Sequence, residues 1–160
     1  MLNITLITIG SLKEQYLKEA MAEYQKRLGA YCTFREINLK EEKTSGRESK
    51  ASINEALEKE ADDIIKIIPP KSYKIALVIE GKMLSSEELA EKISSVATSG
   101  YSEIAFIIGS SCGLSPRIKA FADLSLSFSR MTFPHQLMRI ILCEQIYRAT
   151  NIISGGKYHK

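Results

Sequence analysis

The chain is poor in cysteine and histidine and lacks any long apolar run, and each shortage removes a class of protein. Cys32, Cys112 and Cys143 are odd in number and widely spaced, with no CxxC pair or Cys/His cluster. That excludes a disulfide framework and a zinc site and fits a reducing compartment; no metal is expected. The N-terminal MLNITLITIGSLK has no basic n-region or cleavage site, and its apolar stretch is too short for a bilayer. A soluble, cytoplasmic chain with no membrane partner is therefore expected. GxxxxGK[ST] and GxGxxG are both absent, which disfavours nucleoside triphosphate and conventional dinucleotide sites. A small-molecule hydrolase is disfavoured too, because no serine lies in a nucleophile elbow and neither histidine has an evident carboxylate partner.

What is present suits one domain spanning residues 1–160, since 160 residues with 44% hydrophobic content can bury a single core. The net charge of +3 hides an asymmetry. Residues 115–160 carry seven basic side chains against Asp123 and Glu144, a balance of +5, and leave −2 for the rest. A basic C-terminal third suits a polyanionic partner or a phosphate-bearing ligand.

Apolar periodicity gives strands alternating with helices. Asn3–Ile9 reads as a strand ending at Gly10, Leu12–Leu28 as a helix, and Thr33–Leu39 as a second strand. Lys40–Ser52 shows no apolar periodicity and reads as a mobile loop of low functional content. Ile53–Ile68 is an amphipathic helix stopped by Pro69 and Pro70. KIALVI (Lys74–Ile79) and EIAFII (Glu103–Ile108) are buried strands. Between them, Ser85-Ser86-Glu87-Glu88 opens a helix that ends near Thr98. A short helix from Pro116 to Ala122, a strand at Leu124–Phe128 and a long helix at His135–Ile153 complete an α/β domain. Its sheet should be mostly parallel, with helices on both faces.

Ligands of open parallel sheets gather at the carboxyl ends of the strands. EGKML (Glu80–Leu84), GSSCG (Gly109–Gly113) and FSRMTF (Phe128–Phe133) all fall there. The run LSFSRMTFPHQLMR alternates Ser127, Ser129 and Thr132 with Phe128, Met131 and Phe133, as a flat aromatic ligand with polar edges requires. Pro134 suits a first helical turn. His135 and Arg139, four apart, share a helix face, whereas Arg148, nine further on, lies opposite. Two copies of the chain could therefore build one site, while an ion pair of Arg148 with Glu144 is the simpler explanation of that arginine. The tail places Tyr158 and His159 between lysines after two glycines, which suits stacking on a base and attraction to phosphate.

GKMLSSEELA, FIIGSSCGL, LSFSRMTFPHQLMR, EQIYRA and the terminal YHK together resemble the bacterial large-subunit ribosomal RNA methyltransferase H family, over nearly the whole chain. GSSCG departs from the family pattern at Ser110 and Cys112. The resemblance implies a SPOUT-type knotted methyltransferase fold with a deep C-terminal trefoil knot. It also implies a homodimer that uses S-adenosylmethionine to methylate N3 of a pseudouridine in 23S ribosomal RNA, at an intersubunit helix of the assembled 70S ribosome. Carried over by position, the cofactor contacts are Leu77, Gly109, Phe128, Ser129, Arg130, Met131, Thr132 and Phe133. Arg148, Tyr158 and His159 would serve substrate and catalysis. Arg139 would join them at the substrate, and His135 would share proton acceptance with His159. A transfer RNA methyltransferase of the same class and a non-catalytic RNA-binding module are the alternatives.

Overall fold

The structure is a computed structural model and describes residues 1–44 and 49–160. The elements run β1 (Leu2–Ile9), α1 (Gln15–Leu28), β2 (Cys32–Leu39), α2 (Lys50–Ile67), β3 (Ser72–Met83), α3 (Ser86–Thr98), β4 (Glu103–Ile108), α4 (Pro116–Phe121), β5 (Leu124–Ser127) and α5 (His135–Ile153). The strands form one sheet in the order β2-β1-β4-β3-β5, and every neighbouring pair is parallel. A parallel pair needs a crossover, and the helices supply it.

Both faces of the sheet are covered, which is why the central strands read as unbroken apolar runs. In β4, Ile104, Phe106 and Ile108 face α1, α3 and α5, whereas Ala105 and Ile107 face α2 and α4. Ile4 and Leu6 of β1 join the first core, and Ile7 and Ile9 join the second. The long helix α5 lies within the first core through Leu142, Cys143, Ile146 and Ala149, each fully buried. Burial lifts the thiols of Cys32 and Cys143, the former to about 11, so both behave as apolar side chains.

Local chemistry sets the helix ends. At α3 the Ser85 hydroxyl accepts from the Glu88 N–H, and the Glu88 carboxylate accepts from the Ser85 N–H, giving a complete capping box. Several boundaries differ from the sequence expectation by a residue or more. Helix α1 begins at Gln15 rather than Leu12, because Leu12 packs on the core ahead of the first turn. Ser49 caps α2 by accepting from the Ser52 N–H, so residues 50–52, expected in the loop, are helical. Residues 45–48 of that loop lie outside the described residues. Pro134 is the N-cap of α5 rather than a residue of its first turn.

The largest correction concerns EGKML, expected as a turn. Strand β3 continues to Met83, with a register shift against β5 between Leu77 and Lys82. A bulge there re-aims the strand. Gly81 permits it, since a Cβ at this position would lie 2.7 Å from the Ser125 carbonyl oxygen.

Candidate active site

The bulge of β3, the turn after β4 and the loop after β5 enclose a cleft of about 520 Å³ at the carboxyl edge of the sheet, closed on one side by the start of α5. This volume falls in the range of small-molecule sites. Gly109 and Gly113 shape the middle wall. A Cβ on Gly109 would stand 2.2 Å from the Gly113 carbonyl oxygen, and Gly113 adopts φ +86°. Here only glycine fits without strain. The Gly113 N–H donates to the Ser110 carbonyl at 2.9 Å and closes the turn. The loop after β5 is ordered by its own hydroxyls: Ser127 Oγ donates to the Ser129 carbonyl, and Ser129 Oγ accepts from the Met131 N–H, each at 3.0 Å.

Of the expected cofactor contacts, Leu77, Gly109, Phe128, Ser129, Met131, Thr132 and Phe133 all line the cleft; Arg130 does not, and its side chain is exposed. The lining is largely apolar, with hydroxyls and backbone groups at its edges. Glu80, Lys119 and His135 are its ionisable members. The imidazole of His135 is held below its ordinary value, first by burial and then by the Arg139 charge, which favours the neutral form that can accept a proton. Behind the middle wall lies Glu60, only 3% exposed, which accepts from Ser110 Oγ and from the Glu42 N–H. Among the described residues, no group of three or more His, Cys, Asp or Glu could hold a metal ion.

Arg139 faces the interior, one helical turn after His135. It is 1% exposed, and its guanidinium donates to the carbonyls of Ile9 and Gly10 at 3.0 and 2.8 Å and to Asn38 Oδ1 at 3.0 Å. It clamps α5 to the ends of β1 and β2, away from the substrate-facing position expected of it.

A second cluster gathers farther along α5. Arg148 makes the ion pair with Glu144 at 2.5 Å and also meets His159 Nδ1 at 3.2 Å, with its guanidinium carbon 4.7 Å from the centre of the Tyr158 ring. Tyr158 Oη donates to Glu144 Oε1 at 3.1 Å, and His159 Nε2 lies 2.8 Å from Glu87 Oε1. The tail is held by a residue that sequence reasoning missed. Asn151, 6% exposed, accepts from the Tyr158 N–H and donates to Tyr31 Oη, both at 3.0 Å. Gly156 approaches that side chain so closely that a Cβ would lie 2.3 Å from Nδ2. A buried asparagine carries no distinctive sequence signal, which is why periodicity overlooked it.

The structure thus joins Arg148, Tyr158 and His159 in one group and His135 with the cleft residues in another. None of the first three lines the cleft. His135 and Arg148 stand thirteen positions apart, or about 20 Å along the α5 axis.

An all-parallel sheet with a nucleoside-sized cleft at its carboxyl edge is matched by a family model described as "Predicted SPOUT methyltransferase" over residues 2–159, and the chain belongs to that family. Solved structures share the fold. A "probable methyltransferase" from Bordetella pertussis aligns with a TM-score of 0.60 and 12% identity, over 93% of this chain and 95% of that one. A Legionella pneumophila protein solved in complex with the bound cofactor SAM aligns at 0.51 and 14%, over 95% and 66%. Within the class, proteins named ribosomal RNA large subunit methyltransferase H from Exiguobacterium sibiricum and Streptococcus suis are 50% and 51% identical, over 99% of this chain and 100% of theirs. The chain is a member of the ribosomal RNA large subunit methyltransferase H family.

Proposed function

We propose that this protein methylates N3 of a pseudouridine in 23S ribosomal RNA of the assembled 70S ribosome, in the cytoplasm, as a homodimer using S-adenosylmethionine. The observation that carries this reading is the separation of the two halves of the site. The tail cluster does not line the cleft of its own subunit, and in a homodimer a second copy would bring the partner subunit's Arg148, the partner subunit's Tyr158 and the partner subunit's His159 to it. Apolar side chains exposed around the cleft support such a pairing: Met131 at 73%, Met83 at 56%, Ile79 at 48% and Leu137 at 39%.

The cleft fits the cofactor. A base can lie among Leu77, Leu126 and Phe128, with backbone groups of the Gly109–Gly113 turn at its edge, and the volume admits a nucleoside with a side chain. When bound, S-adenosylmethionine supplies an activated methyl group whose sulfur keeps the bonding pair and leaves as a neutral thioether. The residues therefore work on the nucleophile. Arg148 stabilises the negative charge that develops on the carbonyls flanking N3 as its proton departs. His159 and His135 are the imidazoles able to take that proton, His159 oriented by Arg148 and Glu87 and His135 held neutral in the cleft wall. Tyr158, fixed by Glu144, stacks on or orients the base.

The test is mass spectrometry of large-subunit RNA after ribosomes, labelled cofactor and protein are incubated together. One methyl group on a pseudouridine is expected, with none from Arg148→Ala although that variant still binds the cofactor. Labelling of transfer RNA alone, or a normal rate in Arg148→Ala, would refute the reading.

A further inference from the structure

Two charged side chains of the cleft have no part in the chemistry above. Glu80 stands on the β3 bulge and Lys119 on α4, and Lys119 Nζ donates to Glu80 Oε1 at 2.5 Å. Both line the cleft, and among the described residues the rest of its lining, apart from half-buried His135, is uncharged.

An adenosine linked to an amino acid offers a protein three polar features: the base edge, the vicinal ribose hydroxyls and the aminocarboxylate. Backbone amides suit the base edge. An ammonium group is disfavoured at Glu80, because Lys119 already sits on that carboxylate and a second cation would be repelled. A ligand carboxylate is disfavoured by Glu80 itself. The diol is uncharged and offers two donors, and an ionised carboxylate is an acceptor-only group with about four lone-pair sites, of which the ammonium takes one. A diol can therefore bind while the ion pair stays intact. We infer that Glu80 is the ribose-diol acceptor of this cleft and that Lys119 is a positioning residue that fixes its carboxylate at the cleft wall; the inference rests on the S-adenosylmethionine reading. The Lys119 ammonium also holds the Glu80 carboxyl below its ordinary range, so the acceptor is ionised at neutral pH.

Calorimetric titration of the full chain tests this with S-adenosylhomocysteine, its 2′,3′-dideoxy form and 5′-methylthioadenosine. Glu80→Ala should weaken S-adenosylhomocysteine and 5′-methylthioadenosine alike, by about tenfold, the usual worth of hydrogen bonds to a charged group. It should leave the dideoxy form unchanged. Lys119→Met should weaken S-adenosylhomocysteine by a smaller factor and add nothing in the Glu80→Ala background. Glu80 is an exposed side chain, so folding should survive, and unchanged thermal unfolding confirms it. A loss confined to S-adenosylhomocysteine would assign Glu80 to the aminocarboxylate and overturn the inference, as would equal losses with and without the hydroxyls. If the wild-type protein bound none of the three, the cofactor reading would fall and this one with it.

Discussion

Arg139→Met should be among the most destabilising substitutions in this chain. The arginine is 1% exposed and gives hydrogen bonds to two backbone carbonyls and to Asn38, with the Glu36 carboxylate 3.8 Å away. Methionine fills much of the volume but returns none of these bonds. Each orphaned group costs about 1 to 3 kcal/mol, and removing one partner of a buried pair typically costs about 3 to 5 kcal/mol. The lower total is favoured, because Asn38 can turn to water. For a domain of this size that lowers Tm by roughly 6 to 20 °C, at 2 to 4 °C per kcal/mol. The carbonyl bonds should outweigh the ion pair, since among the described residues Glu36 Oε1 and Arg139 Nε have no hydrogen-bond partner and the pair is not bidentate. Glu36→Gln alone should then cost less than Arg139→Met, because burial already opposes the charge of the Glu36 carboxyl. Lysine should not rescue position 139, because a point charge cannot reach β1 and β2 together as the guanidinium fork does. Urea unfolding of the three variants measures this. A loss below about 1 kcal/mol in Arg139→Met, or a larger loss in Glu36→Gln, would refute the clamp.

Gly109→Ala should abolish cofactor binding in calorimetry, because its Cβ would collide with the Gly113 carbonyl. Gly113→Ala, with open space around it, should cost only about 1 to 2 kcal/mol of backbone strain at its positive φ, and a larger loss would contradict that view of the turn. Asn151→Ala should release the tail, removing turnover while leaving the affinity for S-adenosylhomocysteine unchanged; retained turnover would show that the tail needs no anchor there. Glu60→Gln tests a pH dependence. Burial raises the Glu60 carboxyl, so its contribution to stability is fully present below the unfolded carboxylate range and is lost as pH rises through the folded value. The variant should therefore gain on the wild type in denaturant unfolding as pH rises above the ordinary carboxylate range. A relative loss over that rise would reverse the assigned sign.

Much of the architecture was legible because periodicity reports burial. EIAFII is apolar on both faces since β4 lies between two layers of helices, and Ser85 with Glu88 announced the start of α3 through a cap that depends on four consecutive residues. The β3 bulge was hidden, because a register shift is decided by the neighbouring strand and EGKML looks like any glycine-bearing turn. The two arginines of α5 show the same limit. Spacing placed Arg139 and Arg148 on different faces, but which face was inward depended on what packs there.

The sequence by itself determined the alternation of strands and helices, the collection of GSSCG and the FSRMTF run at one edge of the sheet, and the family to which these motifs belong. Each is written in neighbouring residues, and local backbone and side-chain preferences suffice to express it. Only the tertiary structure decided that Arg139 is a buried clamp, that Asn151 ties down the tail, that Glu80 meets Lys119 in the cleft, and that the tail cluster stands apart from the cleft in one subunit. Those outcomes join residues from seven to more than a hundred positions apart, where the energy of a contact depends on burial and distance that no local pattern encodes.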